Sequence, residues 1–337
     1  MSQQLRDKFI AAFEKDKHRI QNWLVSWDYQ KQLKKRKYNY DNLLNDFFTF
    51  SGKEDLPRWM NWFEKDYPDY IHNEEIQKLA AKSLENEREI FKKLDLTLNE
   101  LNYDKRVGLH NAHDFFIPQS YPVAARYQIN NVLDFGAGYG RQANLWSGNR
   151  NKGMYVAVDA IESSYCLQNL YYNSISNQVI DYIDNPDQFK IAPDFKGIAH
   201  LPTWRFDLIP DQSIDLVLCI QVLPELNSKL IRFIMEQFKR VLKPGAMLYI
   251  RDHAYTWKPA GQVDVEKLLQ KMGFDLEFKA HIINDSDIHG VPRIWRNYDE
   301  AVKKAQTMDL KAKVKLMYNN ADAMSGGLLK KVSSKLK

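Results

Sequence analysis

The sequence predicts an α/β fold in which a mostly parallel sheet carries helices on both faces and follows a helical N-terminal region. Three observations predict it. Between about residues 106 and 283, short apolar or β-branched runs alternate with helical stretches, and strands that are continuously apolar belong to parallel sheets covered on both sides. In the first 105 residues glycine is nearly absent, and apolar and aromatic residues recur at helical spacing. At the join, the strand-like run NVLDF (131–135) passes directly into the glycine-rich turn GAGYGR (136–141) and then into a helix.

Taken in order, Phe9, Phe13, Ile20 and Trp23 set the first helical period, and Ile76, Leu79, Ala80, Leu84, Ile90 and Leu94 set a second, with Glu and Lys on its other face. Pro57 and Pro68 mark breaks. After NVLDF, a helix is expected through Ala143 to Trp146. MYVAVDA (154–160) is the second strand and IDLVLCI (214–220) the third. A helix over Lys229–Leu242, a Lys243-Pro244-Gly245 turn and the strand AMLYIRD (246–252) follow. DIHGVPRIWRN (287–297) reads as a loop and 298–318 as a helix, and SGGLLKKVSSKLK (325–337) reads as a glycine break before a short basic amphipathic piece. The expected division is 1–105 as a helical region serving as a lid or dimer face, 106–297 as the α/β domain, and 298–337 as a basic, partly flexible tail.

A chain of 337 residues with 44% hydrophobic content suffices for one large domain with additions or for two domains. Cys166 and Cys219 form neither a disulfide framework nor a zinc spacing, which suits a reducing, cytoplasmic setting. The opening MSQQLRDKFIAAFEKDKHRI has no continuous apolar core, so it does not read as a signal peptide. No window reaches the ~18 apolar residues of a membrane span. The net charge of +5 is concentrated in the tail, where nine lysines from Lys303 to Lys337 face only Asp309 and Asp322. A solvated or frayed end is the plain expectation for it; weak contact with an anionic membrane surface is the other use of its lysines.

The glycine loop carries the chemistry. A strand ending near Asp134 is followed by Gly136, Gly138 and Gly140, so the backbone can turn sharply and approach a ligand. A dinucleotide fingerprint would place its third glycine where Arg141 stands. The acid at 134 opposes a pyrophosphate and suits a cationic ligand without phosphates, such as S-adenosylmethionine (SAM).

VLDFGAGYG (132–140) resembles the first motif of class I SAM-dependent methyltransferases. The resemblance extends through AVDA (157–160), FDLIPDQSIDLVLC (206–219) and FKRVLKPGAMLYIRD (238–252), the last with Ala246 in place of a second glycine, and so covers residues 131–252. It implies a Rossmann-like sheet with helices on both faces, SAM as cofactor and S-adenosylhomocysteine (SAH) as product. It also implies a cofactor site of Asp134, Gly136, Ala137, Gly138, Tyr139 and Gly140, with Asp159 on the ribose hydroxyls, Asp207 and Leu208 at the adenine, and Gln221 in the pocket. Plainer readings stand beside these roles: Asp159 as a helix cap, Asp207 as a turn residue before Pro210, Asp134 as a cap on the loop backbone, Cys219 as a small buried hydrophobe.

SAM is already activated, so a metal is not required, and a base near neutral pKa is the useful addition for a hydroxyl acceptor. His253, directly after the AMLYIRD strand, is the candidate base; His110, His113, His200 and His289 are secondary candidates, and Glu225 follows Gln221 as a pocket or helix-capping residue. IQVLPE (220–225) lacks the Asn/Asp-Pro-Pro-aromatic tetrad of adenine or cytosine amino methylation, no Pro-Cys nucleophile is present, and no compact basic patch interleaves with aromatics; nucleic acid is not an expected partner. HNAHDFFIPQSYP (110–122) and HGVPRIW (289–295), with the helical N-terminal third, resemble bacterial sugar O-methyltransferases. This implies a saccharide or nucleotide-sugar hydroxyl as acceptor, with Trp204, Trp257 and Trp295 as stacking surfaces or, more plainly, core residues. The competing readings are an N-methyltransferase of a small amine or protein, a non-catalytic assembly subunit of the same fold, and, more weakly, a nicotinamide oxidoreductase. A homodimer is a further expectation for the helical region.

Overall fold

The computed structural model describes residues 2–19, 49–61, 74–120, 128–147, 153–252, 263–280 and 290–298. Ile20, Trp23 and Pro68, the helix expected over 298–318 apart from Tyr298, and the basic tail lie outside them.

The described residues before the sheet begin with α1 (Ser2–Asp16), α2 (Asp55–Asn61) and α3 (Glu74–Lys93). Pro57 lies in the first turn of α2, where its missing N–H breaks no helical bond. Glu74 and Glu75 begin α3 and Lys92 and Lys93 end it, each matched to the helix dipole. Its buried face is Ile76, Ala80, Ser83, Glu87, Ile90 and Phe91, so the expected apolar stripe also carries a carboxylate. A π-helical turn, Tyr103–Gly108, leads into α4 (Leu109–Ser120), in which residues 110–118 are all buried. No helix of the described residues is long and apolar enough to cross a membrane.

The sheet has eight strands: β1 (Val132–Phe135), β2 (Met154–Asp159), β3 (Val179–Asp181), β4 (Gly197–Pro202), β5 (Ile214–Ile220), β6 (Leu242–Asp252), β7 (Phe274–Lys279) and β8 (Val291–Asn297). Their order is β3-β4-β2-β1-β5-β6-β8-β7. The first six are parallel, and β8 and β7 close the sheet antiparallel. Helices α5 (Ala143–Trp146), α6 (Glu162–Ile175), α7 (Ser228–Val241) and α8 (Val265–Lys271) make up the rest. β1 is central: Asp134 is in register with Ala157 of β2 and Leu218 of β5. Every residue of β1 and β2 is buried, as strands covered on both faces require. Phe135 meets Phe238 of α7 edge-on, with ring centroids 5.2 Å apart, so its neighbour Asp134 points to the opposite face. From β1 the chain moves outward one way to β2 and the edge strand β3, inserts β4 between those two, then returns to lay β5 on the other side of β1. Such a switch point opens a crevice at the carboxyl ends of β1 and β5.

Two sequence readings need correcting. DIHGVPRIWRN is not all loop: its second half is β8, fully buried. Charges and a proline hide a strand here because Arg296 donates to both oxygens of Glu277 (2.5 and 2.7 Å) and Arg293 to Glu266 (3.1 Å). The Lys243-Pro244-Gly245 turn also lies within β6, as an irregularity in its pairing with β5, with Gly245 at φ 79°.

Candidate active site

The loop after β1 has three glycines at positive φ: Gly136 (72°), Gly138 (61°) and Gly140 (97°). They differ in what surrounds them. A Cβ on Gly136 would lie 2.4 Å from Val222, and one on Gly140 2.8 Å from the Tyr172 ring; these glycines permit close packing. A Cβ on Gly138 would meet nothing within 4 Å. Gly138 is therefore the loop position where backbone faces open space and a ligand can come close, which is the fit expected of a cofactor cradle. Ala137 is buried and accepts from Gly140 N–H (2.9 Å). Tyr139 is buried too, its ring edge-on to Tyr171 at 5.8 Å, so only its backbone belongs to the open side. Asp134 accepts from Tyr155 Oη (2.6 Å). Burial pushes its carboxyl up to about 7 against the pull of that bond and of the Arg141 charge.

Two clamps hold the loop. The first comes from α4. Arg141 and Gln142, the two residues after Gly140, both donate to Asp114 Oδ2, at 2.9 and 3.1 Å. Asp114 also takes Arg251 Nε (2.7 Å) and Nη2 (2.9 Å) and Tyr249 Oη (2.8 Å), both from β6, and Arg141 reaches Asn111 Oδ1 (2.7 Å). Burial opposes the charge on Asp114, but the two guanidiniums outweigh it and hold the carboxyl at about 2. Because α5 has only four residues, side chains rather than a long helix fix the end of the loop.

The second clamp comes from α6 and the strands beyond it. Asp159 Oδ1 accepts from the N–H groups of Ala160 (2.8 Å) and Ile161 (3.0 Å), and Oδ2 accepts from Gly138 N–H (3.2 Å) and Gln168 Nε2 (3.1 Å). Gln168 Nε2 also holds Gly138 O (2.6 Å), while its oxygen faces His200 Nε2 (2.9 Å). Asp159 caps the chain after β2 and ties the loop down at once; a ribose hydroxyl would compete with these donors. Burial moves its carboxyl up to about 6, offset by the same hydrogen bonds.

The other sequence candidates fall in different places. Asp207 is half exposed and pairs with Arg205 through both oxygens (3.1 and 3.2 Å), and Leu208 beside it is half-buried. Trp204 is core: Phe9 and Phe13 of α1 pack on it, each at 5.4 Å, and its Nε1 donates to Asp16. Trp295 is fully buried in β8. His110 and His113 are buried in α4, where burial pushes His113 down to about 3. Gln221 ends β5 in a left-handed conformation (φ 58°), its N–H donating to Arg251 O (2.8 Å). Glu225 closes a short 3-10 turn over Leu223–Glu225. His253, Trp257 and His289 lie outside the described residues. Just before His253, Asp252 is 2% exposed and, among the described residues, neither carboxylate oxygen has a hydrogen-bond donor; the Gln221 N–H that approaches it is bonded to Arg251 O instead. Burial raises the Asp252 carboxyl well above the usual range.

Sequence reasoning missed Asp114, Gln168 and Asp181. Asp114 stood inside HNAHDFF, where only the histidines drew notice. A cavity of about 1150 Å³ lies at the other end of the sheet, lined by Val132, Met154, Val179 and Gly197 at the starts of four strands, so it is separate from the crevice. Among the described residues no cluster of His, Cys, Asp and Glu is placed to hold a metal ion.

Several solved structures are similar to the chain at low identity. A SAM-dependent methyltransferase from Methanosarcina mazei is 17% identical, over 53% of this chain and 98% of that one, with a TM-score of 0.37. The N-methyltransferase NodS from Bradyrhizobium japonicum, in complex with SAH, is 14% identical over 65% and 100%, with a TM-score of 0.41. The CurJ carbon methyltransferase is 11% identical over 56% and 54%, with a TM-score of 0.37. No curated protein sequence matches the chain. The assignment rests instead on residues 74–298, α3 through β8, which match the methyltransferase-domain family as a whole. With its acid-and-glycine loop set at the switch point of a parallel sheet, the chain belongs to that family.

Proposed function

We propose that this protein is a SAM-dependent O-methyltransferase whose acceptor is a hydroxyl of a sugar or a similar small metabolite. The observation that carries the cofactor reading is the open side of Gly138, clamped between Asp114 and Asp159 and flanked by carboxylates instead of phosphate-binding donors. The cofactor is SAM, which brings its methyl group already activated on a sulfonium. The residues that would hold it are Asp134, the backbone of Gly136 to Gly140, Asp159 and Gln221, with Asp207 and Leu208 at the far end.

The acceptor reading rests on the C-terminal end of β6, two strands from β1 and so about 10 Å away at ordinary strand spacing. Asp252 ends that strand without a donor among the described residues, and His253 follows it. His253 takes the hydroxyl proton as the acceptor oxygen bonds to the methyl carbon and the sulfur–carbon bond breaks, with SAH leaving. A polar, proton-accepting edge suits a hydroxyl, which needs its proton removed. The N-terminal region is read as a cover for this crevice, held by α1 against Trp204.

Calorimetry with SAH and transfer of labelled methyl from SAM to a panel of monosaccharides, nucleotide sugars and amines test the proposal. Binding of SAH and labelling of a hydroxyl are expected, with His253→Ala lowering transfer by about 10²-fold or more at unchanged SAH affinity. Labelling of amines alone, with a flat rate between pH 6 and 8, would establish N-methylation instead. Absence of SAH binding would return the chain to a non-catalytic role.

A further inference from the structure

Gln168 settles the hydrogen-bond directions around His200. Its amide nitrogen has two partners, Gly138 O at 2.6 Å and Asp159 Oδ2 at 3.1 Å. Both are acceptors, so both amide protons point at the loop and the amide oxygen faces His200 Nε2 at 2.9 Å. The reverse orientation would set the Gln168 oxygen against a carbonyl and a carboxylate. His200 Nε2 therefore donates. On the other side of the ring, Nδ1 lies 2.6 Å from Asp181 Oδ2. Asp181 is already surrounded by donors: Tyr165 Oη (2.6 Å), Asn169 Nδ2 (2.7 Å) and Ile183 N–H (3.1 Å), the complement of an ionised carboxylate. Burial works against that charge, yet the His200 charge and these hydrogen bonds bring the Asp181 carboxyl below its usual value. The Tyr165 ring stacks on the imidazole with centroids 3.8 Å apart and planes 19° off parallel, and an aromatic face favours a cation.

We infer that His200 is a positively charged positioning residue for the cofactor loop: held as a doubly protonated imidazolium between Asp181 and Gln168, it orients the Gln168 amide so that both amide protons hold the loop, at Gly138 O and at Asp159. His200 is fully buried, so it is not a base for the acceptor. The groups facing it are Asp181 from β3 and Tyr165, Gln168 and Tyr172 from α6, with the Tyr172 ring edge-on at 5.2 Å. Tyr172 is also the ring that packs against Gly140, so the same cluster touches the loop twice. Loss of the Nε2 proton would turn that nitrogen into an acceptor, rotate the Gln168 amide and withdraw both donors from the loop.

Two measurements test this, and only the second rests on SAM as the cofactor. In ¹⁵N-labelled protein at pH 7, both ring nitrogens of His200, assigned through contacts with Tyr165, are expected to carry protons; a single protonated ring nitrogen overturns the proposal whatever the ligand. In calorimetry with SAH, Gln168→Glu keeps an acceptor for His200 but offers the loop no donor, and affinity is expected to fall on the order of tenfold, the scale of one lost hydrogen bond near charge. Tyr165→Phe removes a donor from Asp181 without touching Gln168 and is expected to keep SAH affinity within about twofold, while lowering thermal stability by the loss of a buried hydrogen bond. Equal weakening by both variants, or none from Gln168→Glu, would reduce the chain of contacts to ordinary core structure. If neither protein bound SAH, the cofactor assignment would fail and the ring-proton measurement would still decide the role of His200.

Discussion

The two rims of the crevice treat buried carboxylates in opposite ways. On the glycine-loop rim, Asp114, Asp159 and Asp181 accept hydrogen bonds on both oxygens. On the β6 rim, Asp252 is as deeply buried and accepts none from the described residues. Arg251 precedes Asp252 on β6 and turns its guanidinium to Asp114, which leaves Asp252 on the other face of the strand. A saturated carboxylate is placed to hold neighbours still. An unsatisfied one is a cost that the fold bears, and such costs gather where chemistry is done. Asp134, held by Tyr155 and with its carboxyl pushed up to about 7, is the exception on the loop rim; at the β6 rim the Asp252 carboxyl holds its proton well above the usual range.

The largest effect that would break this contrast is at Asp114. Asp114→Ala leaves Arg141 and Arg251 buried without their shared counter-charge, and a loss of about 3–5 kcal/mol in urea unfolding is expected. A loss under about 1 kcal/mol would mean that the clamp is not structural.

Glu87 of α3 is the intermediate case: Oε2 accepts from Asn144 and Tyr171, both at 2.7 Å, while Oε1 has no partner among the described residues. Burial raises its carboxyl from 4.5 to about 7, only partly offset by hydrogen bonds from Tyr171, Asn144 and Tyr103. The folded chain thus keeps a proton that the unfolded chain releases. From this group, stability is expected to fall as pH rises from about 4.5 to about 7, by roughly 3 kcal/mol, and to stay level above that. Glu87→Gln should remove this slope; an unchanged slope in chemical denaturation across that range would assign it to other carboxyls.

The smallest effect is also the most telling in sign. Asp252→Asn should stabilise the fold by about 1–2 kcal/mol near neutral pH, because it removes a carboxyl that must take up a proton to be buried, while lowering methyl transfer. A lower Tm in Asp252→Asn would show that this carboxylate supports structure after all.

Legibility in the sequence followed the range of the forces involved. IDLVLCI has the bounds of β5 and Ala143–Trp146 those of α5, because apolar continuity and turn residues act locally. The loop was legible because positive φ needs glycine at neighbouring positions. β8 was not, since its arginines are neutralised by Glu266 and Glu277, which belong to other elements. β4 was missed for a similar reason: it buries His200, whose partners lie 19 and 32 residues away. Nothing near Arg141 announces Asp114, 27 residues upstream. Asp207 was legible only through the resemblance of FDLIPDQSIDLVLC and as a turn residue before Pro210; its pairing with Arg205 came from the structure.

The shortness of α5 has a consequence for selectivity. A single helical turn has too few aligned peptides to present a strong positive end, and the loop it follows is bordered by Asp134 and Asp159. A nucleotide carrying phosphates would meet negative charge here without the compensating helix field that such ligands normally find. Phosphorylated nucleotides, which share an adenosine with SAM, are therefore expected to bind this loop more weakly than SAM does.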